Sequence, residues 1–155
     1  MTDPSVVNST FTIEREYAAT PARVFAAWAD PSAKARWFGG TAAESHELDF
    51  RVGGVEITQG RNGEGKLLTA ESRYHDIVPD QRVVYTTTLS VEDTSVTVSL
   101  TTVQLEQRSD GTTLLRLTEH GAFLDGHEQP EWREQGTSDQ LTALDAELAS
   151  ADTAK

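Results

Sequence analysis

Phe11-Thr12-Ile13-Glu14-Arg15-Glu16-Tyr17, followed by Thr20-Pro21-Ala22-Arg23-Val24-Phe25-Ala26-Ala27-Trp28 and then Asp30-Pro31, decides the fold of this chain. The first stretch places Phe11, Ile13, Arg15 and Tyr17 on one face and Thr12, Glu14 and Glu16 on the other, the period of two that marks a half-buried strand. Thr20-Pro21 then caps and opens a short helix, with Val24, Phe25 and Trp28 on one side. Asp30-Pro31 repeats the device for a second short helix. That helix is expected to stop at Trp37-Phe38, where Gly39-Gly40 can supply a positive φ.

Outward from this opening the chain changes period. Ala43 to Phe50 alternates, Gly53-Gly54 turns it into Val55 to Gln59, and Arg61-Asn62-Gly63-Glu64-Gly65 reads as a loop. Lys66 to Val78, Arg82 to Leu89, Thr94 to Gln107 and Thr112 to His120 follow as strands, separated by Pro79-Asp80 and by the hairpin signal Ser109-Asp110-Gly111. Connections this short predict an antiparallel meander. From Gln129-Pro130 the pattern turns helical, with Leu141, Leu144 and Leu148 forming one apolar stripe. Arg133 and Thr137 continue that stripe in polar form, while Trp132 and Gly136 fall on the other side of an unbroken helix. Together these elements predict an α+β helix-grip fold: a curved antiparallel sheet of six to seven strands around a long C-terminal helix, with two short helices after strand one. One domain is expected over residues 1–155, with its ordered core at about 9–149.

Composition narrows the function classes. The 155 residues include 25 acids against 13 bases, a net charge of −12. Nucleic-acid affinity depends on cationic contacts with phosphate, so no nucleic-acid partner is expected. No run approaches the roughly 20 apolar residues of a membrane span, so no membrane partner is expected either. There is no cysteine, which excludes thiolate chemistry and disulfides. With no signal peptide in the first ten residues, the expected location is cytoplasmic.

Five ordered stretches carry a family resemblance. They are Phe11 to Tyr17, then Pro21 to Trp28 with Asp30-Pro31, Ala35-Arg36-Trp37-Phe38-Gly39, Leu48-Asp49-Phe50-Arg51-Val52-Gly53-Gly54, and Tyr74-His75-Asp76-Ile77-Val78-Pro79 with Arg82-Val83-Val84-Tyr85-Thr86. The chain resembles the START and birch-pollen-allergen-like superfamily, SRPBCC. Within it, the resemblance is to the group homologous to the C-terminal domain of the heat-shock-protein-90 ATPase activator. It covers about Ser9 to Leu148. The resemblance implies a helix-grip fold with an internal hydrophobic cavity, in a superfamily whose members include carriers, cyclases and dehydratases. It also implies a co-chaperone relation, but one domain accounts for the whole chain, so a chaperone partner is not expected.

Candidate ligand-binding residues are Arg15, Tyr74, Tyr85, Glu119 and Thr137. Arg15 lies between Ile13 and Tyr17 on an apolar strand face, and Glu119 is in step with Leu115 and Leu117. An unpaired buried ion costs several kcal/mol, so the two are expected to meet as an ion pair or to share a ligand contact. Tyr74 and Tyr85 are expected on inner strand faces, as packing residues or as phenols that hydrogen-bond a ligand. Trp28, Trp37 and Phe38 read as core or as a cavity lid. His46 is expected to face inward and His75 outward. With His120 and His127 they match no metal-ligand spacing, so no metal and no cofactor are expected. No catalytic residue is assigned.

These features predict a binding protein for a small apolar molecule. A cyclase or dehydratase working through cavity acid–base residues, and a regulator of a chaperone ATPase, are the alternatives. Leu141, Leu144 and Leu148 are expected to pack opposite Val96, Val98, Leu115 and Leu117. Trp132 is expected to cover a loop, the short helices or a second copy of the chain, which leaves a homodimer open. Gly136 could instead bend the helix and bring Trp132 inward.

Overall fold

The computed structural model describes residues 3–39 and 43–153. Strand β1 (Val6–Tyr17) is followed by helices α1 (Pro21–Ala29) and α2 (Pro31–Trp37). Strands β2 (Ala43–Leu48), β3 (Val55–Arg61), β4 (Leu67–Val78), β5 (Arg82–Val91), β6 (Thr94–Gln107) and β7 (Thr113–Leu124) come next, and helix α3 (Pro130–Thr153) completes the order. The sheet runs β1-β7-β6-β5-β4-β3-β2 with every pair antiparallel. This is the α+β helix-grip fold that the sequence predicts.

The local signals work as read. Thr20 Oγ1 accepts from the Arg23 N–H at 3.3 Å, and Asp30 Oδ2 accepts from the Ala33 N–H at 3.3 Å. Asp30 also ends α1, its own N–H donating to the Ala26 carbonyl at 2.9 Å. One residue therefore closes the first short helix and opens the second, fixing the angle between them.

The helix stop differs from expectation. Phe38 caps α2 in the right-handed region, and Gly39 has no positive φ. Gly39 is needed for space: a Cβ there would lie 2.6 Å from the Ala43 Cβ. Gly40 lies outside the described residues. The Gly53-Gly54 turn does use glycine's freedom. Gly53 has φ +85°, and a Cβ on Gly54 would sit 2.0 Å from the Asp49 carbonyl oxygen. The turn docks on β4, where the Gly53 N–H donates to the Tyr74 carbonyl and the Tyr74 N–H donates to Gly54.

The core lies between the concave sheet face and the helices. Leu141, Leu144 and Leu148 are buried against Leu115, Leu117 and Val103, and each leucine contributes about 1.5–3 kcal/mol by leaving water. Tyr17 donates to the Leu141 carbonyl at 2.7 Å, Gln140 to the Phe38 carbonyl at 2.8 Å and Arg23 to the Leu148 carbonyl at 2.7 Å, tying α3 to β1, α2 and α1.

On β6 the expected face is reversed. Thr97, Ser99 and Thr101 point inward with Val103, whereas Val98 is 44% exposed on the convex side. The concave face here meets charged side chains, and hydroxyls can bond to them where valines cannot. Val96 is buried, but outside the core cluster that holds the three leucines of α3.

Candidate functional site

A pocket of about 240 Å³ separates the N-terminal half of α3 from the inner sheet face. Trp28, Trp37 and Phe38 of the short helices form one wall, and Tyr85, Leu89 and Leu117 line the sheet side. From α3 come Trp132, Arg133, Gly136, Thr137 and Gln140, ending at Leu141. The helix packs drily from Leu141 onward. Toward Pro130 its inner face turns to Thr137 and Arg133, and helix and sheet diverge.

Helix α3 is continuous, yet Trp132 and Gly136 both border the pocket. Trp132 stands at its mouth, 64% exposed.

The polar end of the pocket is one connected network. Arg133 Nε lies 3.0 Å from Glu119 Oε2, and Arg133 Nη1 lies 3.5 Å from Glu128 Oε1. Arg133 Nη2 donates to Ser99 Oγ at 3.1 Å. Thr101 donates to Glu119 Oε1 at 3.0 Å, and Thr97 donates to Glu128. Here the inward threonines of β6 find their partners.

A second network lies behind the aromatic wall. Lys34 is fully buried, and its Nζ donates to Glu56 Oε1 at 3.0 Å and to Tyr74 Oη at 3.3 Å. Tyr74 donates to the same Glu56 oxygen at 2.7 Å, and His46 Nε2 lies 2.6 Å from the other. The ammonium group is 4.2 Å from the Phe38 ring centre and 4.8 Å from that of Trp28. Aromatic faces thus replace part of its lost hydration. Burial lowers the Lys34 pKa below its ordinary 10.5, with Glu56 opposing that shift. Burial alone would raise Glu56, but the Lys34 charge and the hydrogen bonds from His46, Tyr74 and Lys34 outweigh it, holding the carboxyl at about 2.

Tyr85, Glu119 and Thr137 therefore converge on the pocket, and Arg15 and Tyr74 do not. The expected Arg15–Glu119 contact does not form. In the β1–β7 register Arg15 faces Leu115 and Glu119 faces Phe11, four residues away. At about 3.4 Å per residue that offset is roughly 14 Å, beyond the reach of an ion pair. Arg15 instead donates to Ser138 of α3 at 2.7 Å, and Arg133 is the partner of Glu119. Tyr74 faces inward but spends its hydroxyl on Glu56. His46 faces inward, His75 is exposed and bonded to Thr86, and His120 is exposed beside Thr10. Among the described residues, no three of His, Cys, Asp and Glu come together. Nor is any helix long and apolar enough to cross a membrane.

Comparison with known proteins agrees with this architecture. A family profile described as Activator of Hsp90 ATPase homolog 1-like protein matches residues 18–149. The chain belongs to that family, within the SRPBCC superfamily. A protein from Rhizobium leguminosarum has a similar structure, with TM-score 0.91 and 38% identity over 96% of this chain and 99% of that one. The Mll3558 protein from Rhizobium loti superposes with TM-score 0.86 at 43% identity, covering 92% of this chain and 99% of its own. The CV1439 protein from Chromobacterium violaceum gives TM-score 0.75 at 28% identity over 88% and 94%. No curated protein matches.

In this member of the activator-homologue family, sequence reasoning missed Lys34, Glu56 and Glu128 among the polar groups. Lys34 sits between Ala33 and Ala35 on a short helix and reads as solvated. Glu56 sits between Val55 and Ile57, so apolar alternation assigns it to the outer face.

Proposed function

We propose that this protein binds a small, largely apolar molecule in the pocket between α3, the short helices and the inner sheet face. The observation that carries the reading is the divergence of α3 from the sheet where its stripe turns from leucine to Thr137 and Arg133. That divergence leaves about 240 Å³ walled by aromatic side chains, with charged groups gathered at one end. Apolar pockets with a few fixed polar groups are the usual form of small-molecule sites. Family and fold are compatible with two roles, ligand binding and activation of an Hsp90-type ATPase, and the pocket supports the first.

Proton-transfer chemistry has less support. Burial first, then the nearby Glu119 and Glu56 charges, raise the Tyr85 pKa above its ordinary 10.0; burial and Glu56 do the same for Tyr74. A general acid or base works best with its pKa near the operating pH, and both phenols move the other way.

Nuclear magnetic resonance titration with ethylbenzene, an uncharged probe, tests the reading. Shifts are expected at the Trp28 indole N–H and the Leu117 and Leu141 methyl groups, and should disappear in Ala70→Phe, which fills the pocket from β4. Shifts confined to residues outside the pocket, or unchanged in that variant, would refute it. Native mass spectrometry of the purified protein would name a co-purified ligand directly.

A further inference from the structure

We infer that the pocket is selective for ring-bearing amines or alcohols, molecules whose polar end donates hydrogen bonds, and discriminates against carboxylates. The inference rests on the binding role proposed above and adds the chemistry of the ligand.

Among the described residues three buried side-chain polar atoms have no hydrogen-bond partner: Trp28 Nε1, Thr58 Oγ1 and Glu119 Oε2. All three residues line this one pocket. Buried polar groups are nearly always satisfied, because leaving one unmade is costly, so such atoms clustered around one pocket point to a ligand's polar groups. Glu119 is the most informative of them. It is 6% exposed, and its Oε1 already accepts from Thr101. Arg133 Nε is 3.0 Å from Oε2, near enough to balance charge, but its N–H is not aimed at that oxygen. The lone pairs of Oε2 remain open to a donor.

Charge points the same way. Glu119 and Glu128 share the single guanidinium of Arg133, so this end of the pocket holds two carboxylates against one cation. The nearby Lys34 does not redress the balance, because it is paired with Glu56 behind the aromatic wall. A ligand carboxylate would meet excess negative charge and open acceptors; an ammonium or hydroxyl would meet what it needs. Size sets the body. A dry cavity of roughly 150 Å³ accepts benzene, so about 240 Å³ takes one ring with a short polar arm. Trp28 Nε1, the one open N–H donor, suits an acceptor atom on that ring or arm.

Calorimetric titration with four probes of matched shape tests this: phenethylamine, phenethyl alcohol, phenylacetate and ethylbenzene. The amine and the alcohol are expected to bind about tenfold or more tightly than phenylacetate. That ranking should persist as salt is raised, since surface charge is screened and a buried carboxylate far less so. Glu119→Gln should weaken the amine about tenfold while ethylbenzene, which reads only the apolar walls, keeps its affinity. Phenylacetate binding as tightly as the amine, or an amine affinity unmoved by Glu119→Gln, would overturn the inference. If that variant does not fold, the wild-type ranking alone decides. Ethylbenzene binding with no preference among the polar probes overturns this inference and spares the binding role. Failure of all four to bind overturns both.

Discussion

Lys34 Nζ and Glu56 Oε1 lie 3.0 Å apart, and solvent reaches neither side chain to any useful extent. The pair joins α2 to β3 and stands directly behind Trp28 and Phe38, which face the pocket. A buried ion pair is weak evidence of net stabilisation, because desolvation offsets attraction. Its removal one partner at a time is another matter.

Lys34→Met is expected to destabilise the protein by about 3–5 kcal/mol, since Glu56 would keep its charge without its strongest partner. Adding Glu56→Gln should recover part of that loss, so that the double variant loses less than the sum of the two single variants. Urea unfolding of the wild type, both single variants and the double variant measures it. A Lys34→Met loss below about 1 kcal/mol, in the range of an exposed ion pair, would mean that the pair is solvated in solution.

The same carboxyl sets an acid limb. Glu56 is held at about 2 against an ordinary 4.5. As pH falls the unfolded chain takes up this proton first, so the group's contribution is complete above about 4.5 and is lost as pH falls toward about 2. At about 1.36 kcal/mol per unit, the whole window is worth about 3 kcal/mol. Other carboxylates titrate in the same range, so the informative quantity is the stability difference between wild type and Glu56→Gln. It should shrink by about that amount from the top of the window to the bottom. A difference that stays constant with pH would show that Glu56 titrates normally in the folded state.

Both Glu56 and β6 show where sequence patterning stops working. Thr20 and Asp30 were legible because a cap is decided within four residues, and Leu141, Leu144 and Leu148 because a dry helix stripe repeats without exception. On β3 and β6 the rule that apolar residues face inward selects Val55, Ile57, Val98 and Leu100. The concave face takes Glu56, Ser99 and Thr101 instead. The partners lie off the strand itself: Lys34 of α2 for Glu56, Arg133 of α3 for Ser99, and, across the β6–β7 pairing, Glu119 for Thr101. Alternation along one strand carries no information about such partners. Register is equally invisible. Arg15 and Glu119 do lie on inward faces of adjacent strands, but only the pairing offset shows that they cannot touch.

The reversed face of β6 has a direct check. Val98→Thr should change stability by less than about 0.5 kcal/mol, as expected for an exposed strand position. Thr101→Val, nearly the same volume, should cost about 1–3 kcal/mol by leaving Glu119 Oε1 without its donor. Thermal unfolding of the two variants compares them. The opposite ranking would put valine inside and threonine outside, and with it the polar end of the pocket would be lost.

Along α3, one face does two jobs that substitution should separate. Leu144 has no solvent exposure and packs in the main core, whereas Thr137, two turns earlier on the same face, is buried at the pocket wall. Leu144→Ala removes most of a core side chain and should cost about 2–5 kcal/mol, the spread reflecting how far the site can collapse. In the fraction that remains folded, ethylbenzene affinity should stay near that of the wild type, because the leucine does not line the pocket. Thr137→Leu places added apolar volume where helix and sheet already diverge, so it needs no repacking of the core. Its stability should move by less than about 1.5 kcal/mol, within the range of a tolerated shape change. Ligand uptake should change substantially, because the pocket is reduced from the α3 side. Paired thermal unfolding and ethylbenzene titration on both variants read the two effects together. If Leu144→Ala is thermally silent, α3 does not close the core. If Thr137→Leu leaves uptake untouched, the pocket beside that turn is not where the molecule binds.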